Sequence, residues 1–271
     1  MKKILFLFGF TLLPVALAAS ESPEQQAEQF FRALKTASPS LYQHLQEKKD
    51  LFPEIMQHAV PGMIPAEEAK VPEKGSTRLY PAKLISQNMI FYARIDRIDE
   101  EALQKLMEEM RITARLANRP VGAILDLRSA DCGDFESVAR FVALFTPKPE
   151  KKMHFFQKIP LAVLCGRKTS GPAELLTILL ERSRLGISIG EPGAGNVFPR
   201  KEMELNDRKW LVPEIPDFAK DVLFGTHTPV ISCTAYPQIP FDQIGKVPME
   251  NDPAIRRATD LLRSLHAIRG K

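Results

Sequence analysis

The pattern of apolar and polar positions changes character along the chain. After Ser22-Pro23, the residues Ala27, Phe30, Phe31 and Leu34 recur at helical spacing and predict an amphipathic helix. A second helical stretch holds Leu41, Leu45, Leu51 and Ile55, and Pro61, Pro65, Pro72 and the run Glu73-Lys74-Gly75-Ser76 read as a polar linker. From Thr77 the pattern becomes α/β. Leu84-Ile85 and Met89–Ile95 are strand-like. Asp99 caps a helix whose first turn holds Glu100 and Glu101, followed by Leu103, Leu106, Met107, Met110 and Ala114. Val121–Leu127 is a near-continuous apolar run, as in a parallel strand covered on both faces.

The alternation then repeats. A loop from Arg128 to Asp134 leads to a helix with Phe135, Val138, Ala139, Phe141, Val142 and Phe145 on its apolar side. Leu161–Leu164 reads as a buried strand, Thr169-Ser170-Gly171 as a turn, and Pro172 as a first helical residue, because its ring presets φ and its missing N–H would be unbonded there. Leu175, Leu176, Ile178, Leu179 and Leu180 make that helix a buried one, Gly186 ends it, and Ile187–Ile189 start a strand into Gly190-Glu191-Pro192. A hairpin-like region around Met203–Val212 and a Pro-rich region from Pro213 to Pro248 follow. Asn251-Asp252-Pro253 then opens a last amphipathic helix with Ile255, Ala258, Leu261, Leu262 and Leu265. The expected division is 1–18, 19–76 and 77–271, with 19–76 a helical brace on the main domain or, alternatively, a dimerisation arm.

Composition narrows the function classes. At 44% hydrophobic residues, the chain can bury a substantial core. The formal charge is +4, and Lys2 and Lys3 lie in a segment expected to be removed, so 4 − 2 leaves +2, too weak and scattered for nucleic acid. Residues 1–18 combine a basic start, an apolar stretch shorter than the ~20 residues of a spanning helix, and Ala16-Leu17-Ala18. They read as a cleaved signal peptide, so the mature protein is expected to be soluble and exported, periplasmic or secreted. The three cysteines, Cys132, Cys165 and Cys233, leave at least one thiol unpaired. The five histidines include no H-E-x-x-H pair, so no metal site is expected. Gly193-Ala194-Gly195 lacks the third glycine of a dinucleotide loop, with Phe198 in its place, and no cofactor is expected.

A turn that leaves a strand and opens a helix is where many hydrolases hold a nucleophile, because the helix N-terminus offers N–H donors and positive potential to a developing oxyanion. Leu161–Arg200 has that layout. Three segments together resemble the tail-specific, or C-terminal-processing, serine proteases. They are Met89–Phe145 with its I-L-D-L-R segment, Leu161–Arg200 with its I-G-E-P loop, and Asn251–Leu265 with its D-P helix. The resemblance runs from about Met89 to His266. It implies a crotonase-like stack of ββα units behind a short helical N-terminal segment. The PDZ domain of many members has no counterpart in 19–88, which are too few and too helical to hold one.

The resemblance implies a Ser–Lys dyad, and this sequence departs from it. With Thr169 and Glu174 aligned on the family's turn, Gly171 stands where the nucleophile belongs, and Asn196 stands where the loop after I-G-E-P carries the basic Lys. The next residue, Pro172, has no N–H to give an oxyanion. Of the family's G-G pair, Gly133 survives as an oxyanion donor candidate, and its partner is Cys132. The reading is a pseudoenzyme of serine-peptidase type whose cleft, formed by Cys132, Gly133, Thr169, Ser170, Gly171, Gly195 and Asn196, binds an extended peptide or a protein C-terminus. Two alternatives stay open: an active endopeptidase using Ser170 with Lys168, and a structural envelope component. Cys132 and Cys165, brought to one cleft by the implied fold, are either disulfide-bonded or inert thiols. Asp126, Arg128 and Glu191 are read as charges that pair to hold adjacent strand ends together.

Overall fold

The computed structural model describes residues 22–37, 60, 63–66, 80–87, 89–147, 155–205, 208–220, 222, 227–233 and 239–269. The segment 1–18, the helical stretch Leu41–Ile55 and most of the linker lie outside these residues. The chain divides into two units, one of residues 1–69 with 200–215, the other of 70–199 with 216–271.

In the smaller unit, Ser22 and Gln25 form a capping box at the start of helix α1 (Pro23–Ala37). Gln25 N–H donates to Ser22 Oγ at 3.3 Å, and Ser22 N–H to Gln25 Oε1 at 3.0 Å. The helix turns Ala27, Phe30, Phe31 and Leu34 onto a three-stranded antiparallel sheet. Strands β9 (Arg200–Leu205) and β10 (Arg208–Pro213) form the hairpin, with Met203 opposite Trp210. Strand β1 (Ile64–Pro65) adds to β10. Pro65, read from the sequence as linker, is thus a strand residue. It is tolerated because β1 is an edge strand, where a missing N–H costs no ladder bond. Met63, Met203 and the fully buried Trp210 fill this core.

The larger unit is built on a six-stranded sheet in the order β11-β8-β7-β5-β3-β2. Strands β3 (Ile90–Arg94), β5 (Gly122–Asp126), β7 (Leu161–Cys165), β8 (Ile187–Gly190) and β11 (Ile231–Ser232) are parallel; β2 (Lys83–Ile85) is antiparallel to β3. Every residue of β5 and β7 is buried, which is why both read as near-continuous apolar runs. On one face, Ile90, Tyr92, Ile124, Ala162, Leu164 and Ile189 pack against Ala254, Ile255, Ala258 and Leu262 of the last helix, α5 (Pro253–Arg269).

A second, two-stranded parallel sheet joins β4 (Arg97–Ile98) to β6 (Cys132–Gly133). Each of these short strands precedes a helix: β4 precedes α2 (Glu100–Thr113), and β6 precedes α3 (Phe135–Phe145). The sequences β3–β4–α2 and β5–β6–α3 are therefore two successive ββα units, the repeat of a crotonase-like fold. Aspartates start both helices. Asp99 accepts from Ala102 N–H at 2.9 Å, and Asp134 caps α3 through Ser137 N–H at 2.6 Å. The unit is completed by α4 (Pro172–Arg182), which follows β7. Burying each of Leu175, Leu176 and Leu180 stabilises by about 1.5–3 kcal/mol.

Candidate functional site

The loops leaving the carboxyl ends of β5, β7 and β8 meet, as expected for an open parallel sheet. Thr169 organises the meeting. It is buried, its Oγ1 donates to Leu127 O at 2.9 Å, and it accepts from Gly166 N–H at 2.9 Å. One hydroxyl thus closes the turn after β7 onto the end of β5. Ser170 N–H donates to Ala130 O at 3.0 Å, and Ala194 N–H donates to Thr169 O at 3.0 Å, joining all three loops.

Gly171 caps α4 with φ 57° and ψ −128°, a conformation that L side chains adopt only under strain. A Cβ placed on it would lie 3.9 Å from Asn196 O and 3.9 Å from Phe135 Cζ, with nothing else within 4 Å among the described residues. The position read as the missing nucleophile therefore lies beside the backbone carbonyl of the position read as the missing base, and a Cβ there would meet only ordinary van der Waals contacts. Pro172 follows in the first turn of α4 and has no N–H to offer there.

The remaining sequence-derived site residues divide around this point. Gly195 is half-buried, and Asn196 is exposed on the wall opposite Gly171. Cys132 and Gly133 sit in β6, half-buried, with Cys132 Sγ 3.9 Å from Asp96 O. Burial and the neighbouring Asp131 push the Cys132 thiol above its ordinary range. Lys168 is exposed and Ser170 half-buried, so Lys168 lacks the desolvation that activates an amine as base. None of the three cysteines is in a disulfide, and burial pushes Cys165 strongly up. Among the described residues, no group of three His, Cys, Asp or Glu could hold a metal ion.

The strand-end charges pair differently from the sequence reading. Asp126 and Arg128 meet at 2.7 Å, but Glu191 lies 3.2 Å from Arg167, whose side chain is 80% exposed. Arg128 turns instead to Asp252 at the start of α5. Glu191 therefore belongs to the rim, and only Asp126 and Arg128 share the buried network.

Two residues that organise the site carried little sequence signal. Glu174, an alignment landmark only, is fully buried and accepts backbone N–H groups from Gly195, at 2.9 and 3.1 Å, and from His227 at 3.0 Å. Burial pushes its carboxyl up, and these N–H groups offset part of that. Gly193 passes so close that a Cβ there would lie 2.4 Å from Glu174 Oε1, which explains a glycine at that point. His227 donates to Glu174 through its backbone, accepts from Gly193 N–H at 3.0 Å, and sets its ring Nε2 3.0 Å from Glu181 Oε2. A glutamate in the first turn of the otherwise apolar run PAELLTILL was the available clue to Glu174. His227, in a Pro-rich stretch, offered none.

No protein-family model matches this chain, and no curated protein matches it. Solved structures do. A candidate peptidase from Parabacteroides merdae matches with a TM-score of 0.52 at 13% identity, over 89% of this chain and 97% of that one. A candidate S41 protease from Bacteroides fragilis matches with a TM-score of 0.50 at 14% identity, over 70% of this chain and 59% of that one. The photosystem II D1 C-terminal processing protease matches with a TM-score of 0.39 at 16% identity, over 53% of this chain; the chain spans 42% of that protein's length. The first two likenesses are likenesses of fold, and the fold is a tail-specific-protease-like one.

Proposed function

We propose that this chain uses a tail-specific-protease-like fold to bind an extended peptide or a protein C-terminus without cleaving it. The observation that carries the reading is the elbow. Gly171 has the strained backbone expected of a nucleophile position but no hydroxyl, the neighbouring loop brings the backbone of Asn196 rather than a lysine beside it, and Pro172 has no oxyanion N–H. The loops around it still converge, so the cleft keeps its walls after losing its reactive groups. Strand addition beside β6 would supply main-chain hydrogen bonds to an extended ligand.

The reading includes export, on the Met1–Ala18 pattern. Among the described residues no helix is long and apolar enough to cross a membrane. The mass of the exported chain tests cleavage after Ala18.

The deciding experiment pairs a fluorogenic-peptide and casein assay with fluorescence anisotropy of labelled peptides bearing free or amidated C-termini. Binding without turnover is expected. Turnover abolished by Ser170→Ala would establish an active endopeptidase and overturn the reading, as would absence of binding to every peptide.

A further inference from the structure

We propose that His227 is a positioning residue that makes the Gly193–Asn196 wall of the cleft responsive to protonation; the consequence for ligands rests on the peptide-binding reading above. The Gly190–Asn196 loop is held from two sides. On the elbow side, Ala194 N–H donates to Thr169 O and Glu191 N–H to Cys165 O. On the other side it is held by Glu174 of α4 and by one short segment beginning at His227. His227 O accepts from Gly193 N–H, and His227 N–H donates to Glu174, whose carboxylate also holds Gly195 N–H. Three residues on, Val230 N–H donates to Ser188 Oγ at 2.9 Å, and Ser188 Oγ donates to Glu181. Cys233 N–H then donates to Gly190 O, where β11 joins the sheet. Residues 227–233 thus form a strap tied to two carboxylates of α4 and to β8, with His227 as its first tie.

The ring makes the strap chemically distinctive. It is 7% exposed, its Nε2 meets Glu181, and its Nδ1 is buried with no hydrogen-bond partner among the described residues. Beside a carboxylate acceptor, a neutral imidazole must carry its proton on Nε2, which leaves Nδ1 a bare buried acceptor. Adding a proton converts the contact into an ion pair, with Glu174 as a second carboxylate on the same helix. The charged groups of α4 packed on the strap are Glu174 and Glu181, and β8 contributes the neutral Ser188.

Protonation of His227 therefore tightens the strap. Protonation of Glu174, whose carboxyl burial pushes up, weakens the acceptor it offers to Gly195 and His227 and loosens the wall. The two protonations thus act on the wall in opposite senses, and ligand affinity follows the state of the wall.

The test follows the Gly193 and Gly195 amide resonances by NMR from pH 5 to 8, in the full exported chain and in His227→Gln and Glu181→Gln. In the parent protein both amides are expected to shift with the His227 ring titration, and His227→Gln is expected to abolish that shift with the rest of the spectrum intact. Glu181→Gln, which keeps an acceptor but removes the charge, is expected to retain the fold and flatten the profile. Amides indifferent to His227→Gln overturn the proposal. In parallel, anisotropy of a bound peptide is expected to weaken at least fivefold from pH 6 to 8 in the parent protein only. If no peptide binds but the amides follow His227, the peptide-binding reading falls and the coupling stands. If peptide binds with the same affinity and pH profile in His227→Gln, the coupling falls.

Discussion

Arg128 and Asp252, 124 positions apart in the chain, meet at 2.8 Å beneath the final helix. Arg128 grips two carboxylates: Asp126 at the end of β5 and Asp252 at the start of α5, where Asp252 also accepts from the Ala254 and Ile255 N–H groups. Tyr92 completes the network through its OH, 2.7 Å from Asp126. Two charges from distant segments thereby fix where the last helix begins. Asp252→Ala leaves Arg128 with less compensation in a nearly dry site and removes the helix cap. It is expected to cost roughly 3–5 kcal/mol of stability in urea denaturation. Asp252→Asn keeps the cap and is expected to cost less.

Acid stability reports on the same network. Burial alone would raise the Asp126 carboxyl, but the Arg128 charge and the hydrogen bonds from Arg128 and Tyr92 outweigh it and hold the group below the ordinary carboxylate range. A depressed carboxylate contributes stability above its unfolded value and loses it as the pH falls through its folded value. Stability measured from pH 6 down to pH 2 is expected to fall along that limb, and Asp126→Asn is expected to lower the plateau while flattening the limb.

Thr169→Val tests whether one hydroxyl holds the elbow. The substitution keeps the shape but leaves the Gly166 N–H without its partner and the Leu127 C=O with the Ala130 N–H alone. An unsatisfied buried N–H costs about 1–3 kcal/mol. The expected result is a loss of about 1–3 kcal/mol, with the Ser170 and Ala194 amides losing hydrogen-exchange protection. Thr169→Ser should retain most of it.

Restoring the missing groups tests the account of lost chemistry. Gly171→Ser has steric room but places a side chain at φ 57°, at a cost of order 1–3 kcal/mol. The double variant Gly171→Ser, Asn196→Lys is expected to remain poor because Pro172 still lacks a donor. Adding Pro172→Ala is expected to raise turnover of a fluorogenic peptide by ~10²–10³ over the double variant. Equal rates for the double and triple variants would show that Pro172 is not the third defect.

Thiol labelling separates the cysteines. Cys132 is half-buried, and burial with Asp131 raises its thiol; Cys165 and Cys233 are buried and raised, chiefly by burial. The thiolate is the reactive form, so rates climb with pH. Mass spectrometry after iodoacetamide treatment is expected to show slow Cys132 modification, faster towards pH 9. Cys165 and Cys233 are expected to react only after denaturation.

Periodicity along the chain carried the local elements. The near-continuous apolar runs at Val121–Leu127 and Leu161–Leu164 read as strands covered on both faces, and Asp99 and Pro172 marked helix starts, because capping and fixed φ act within a few residues. The order of the D-L-R, elbow and I-G-E-P segments was enough to suggest the fold, and the resemblance then implies Gly171 and Asn196 at the positions of its reactive groups. Which distant residues meet was not legible, because a side chain's partner is set by how strands and helices stack rather than by its neighbours in the chain. Only the tertiary structure gave Arg128 to Asp252 and Glu191 to Arg167, joined the 200–215 hairpin to helix α1, and placed His227 against Glu174 and Glu181. Sequence determined which groups the elbow has; packing decided what they face.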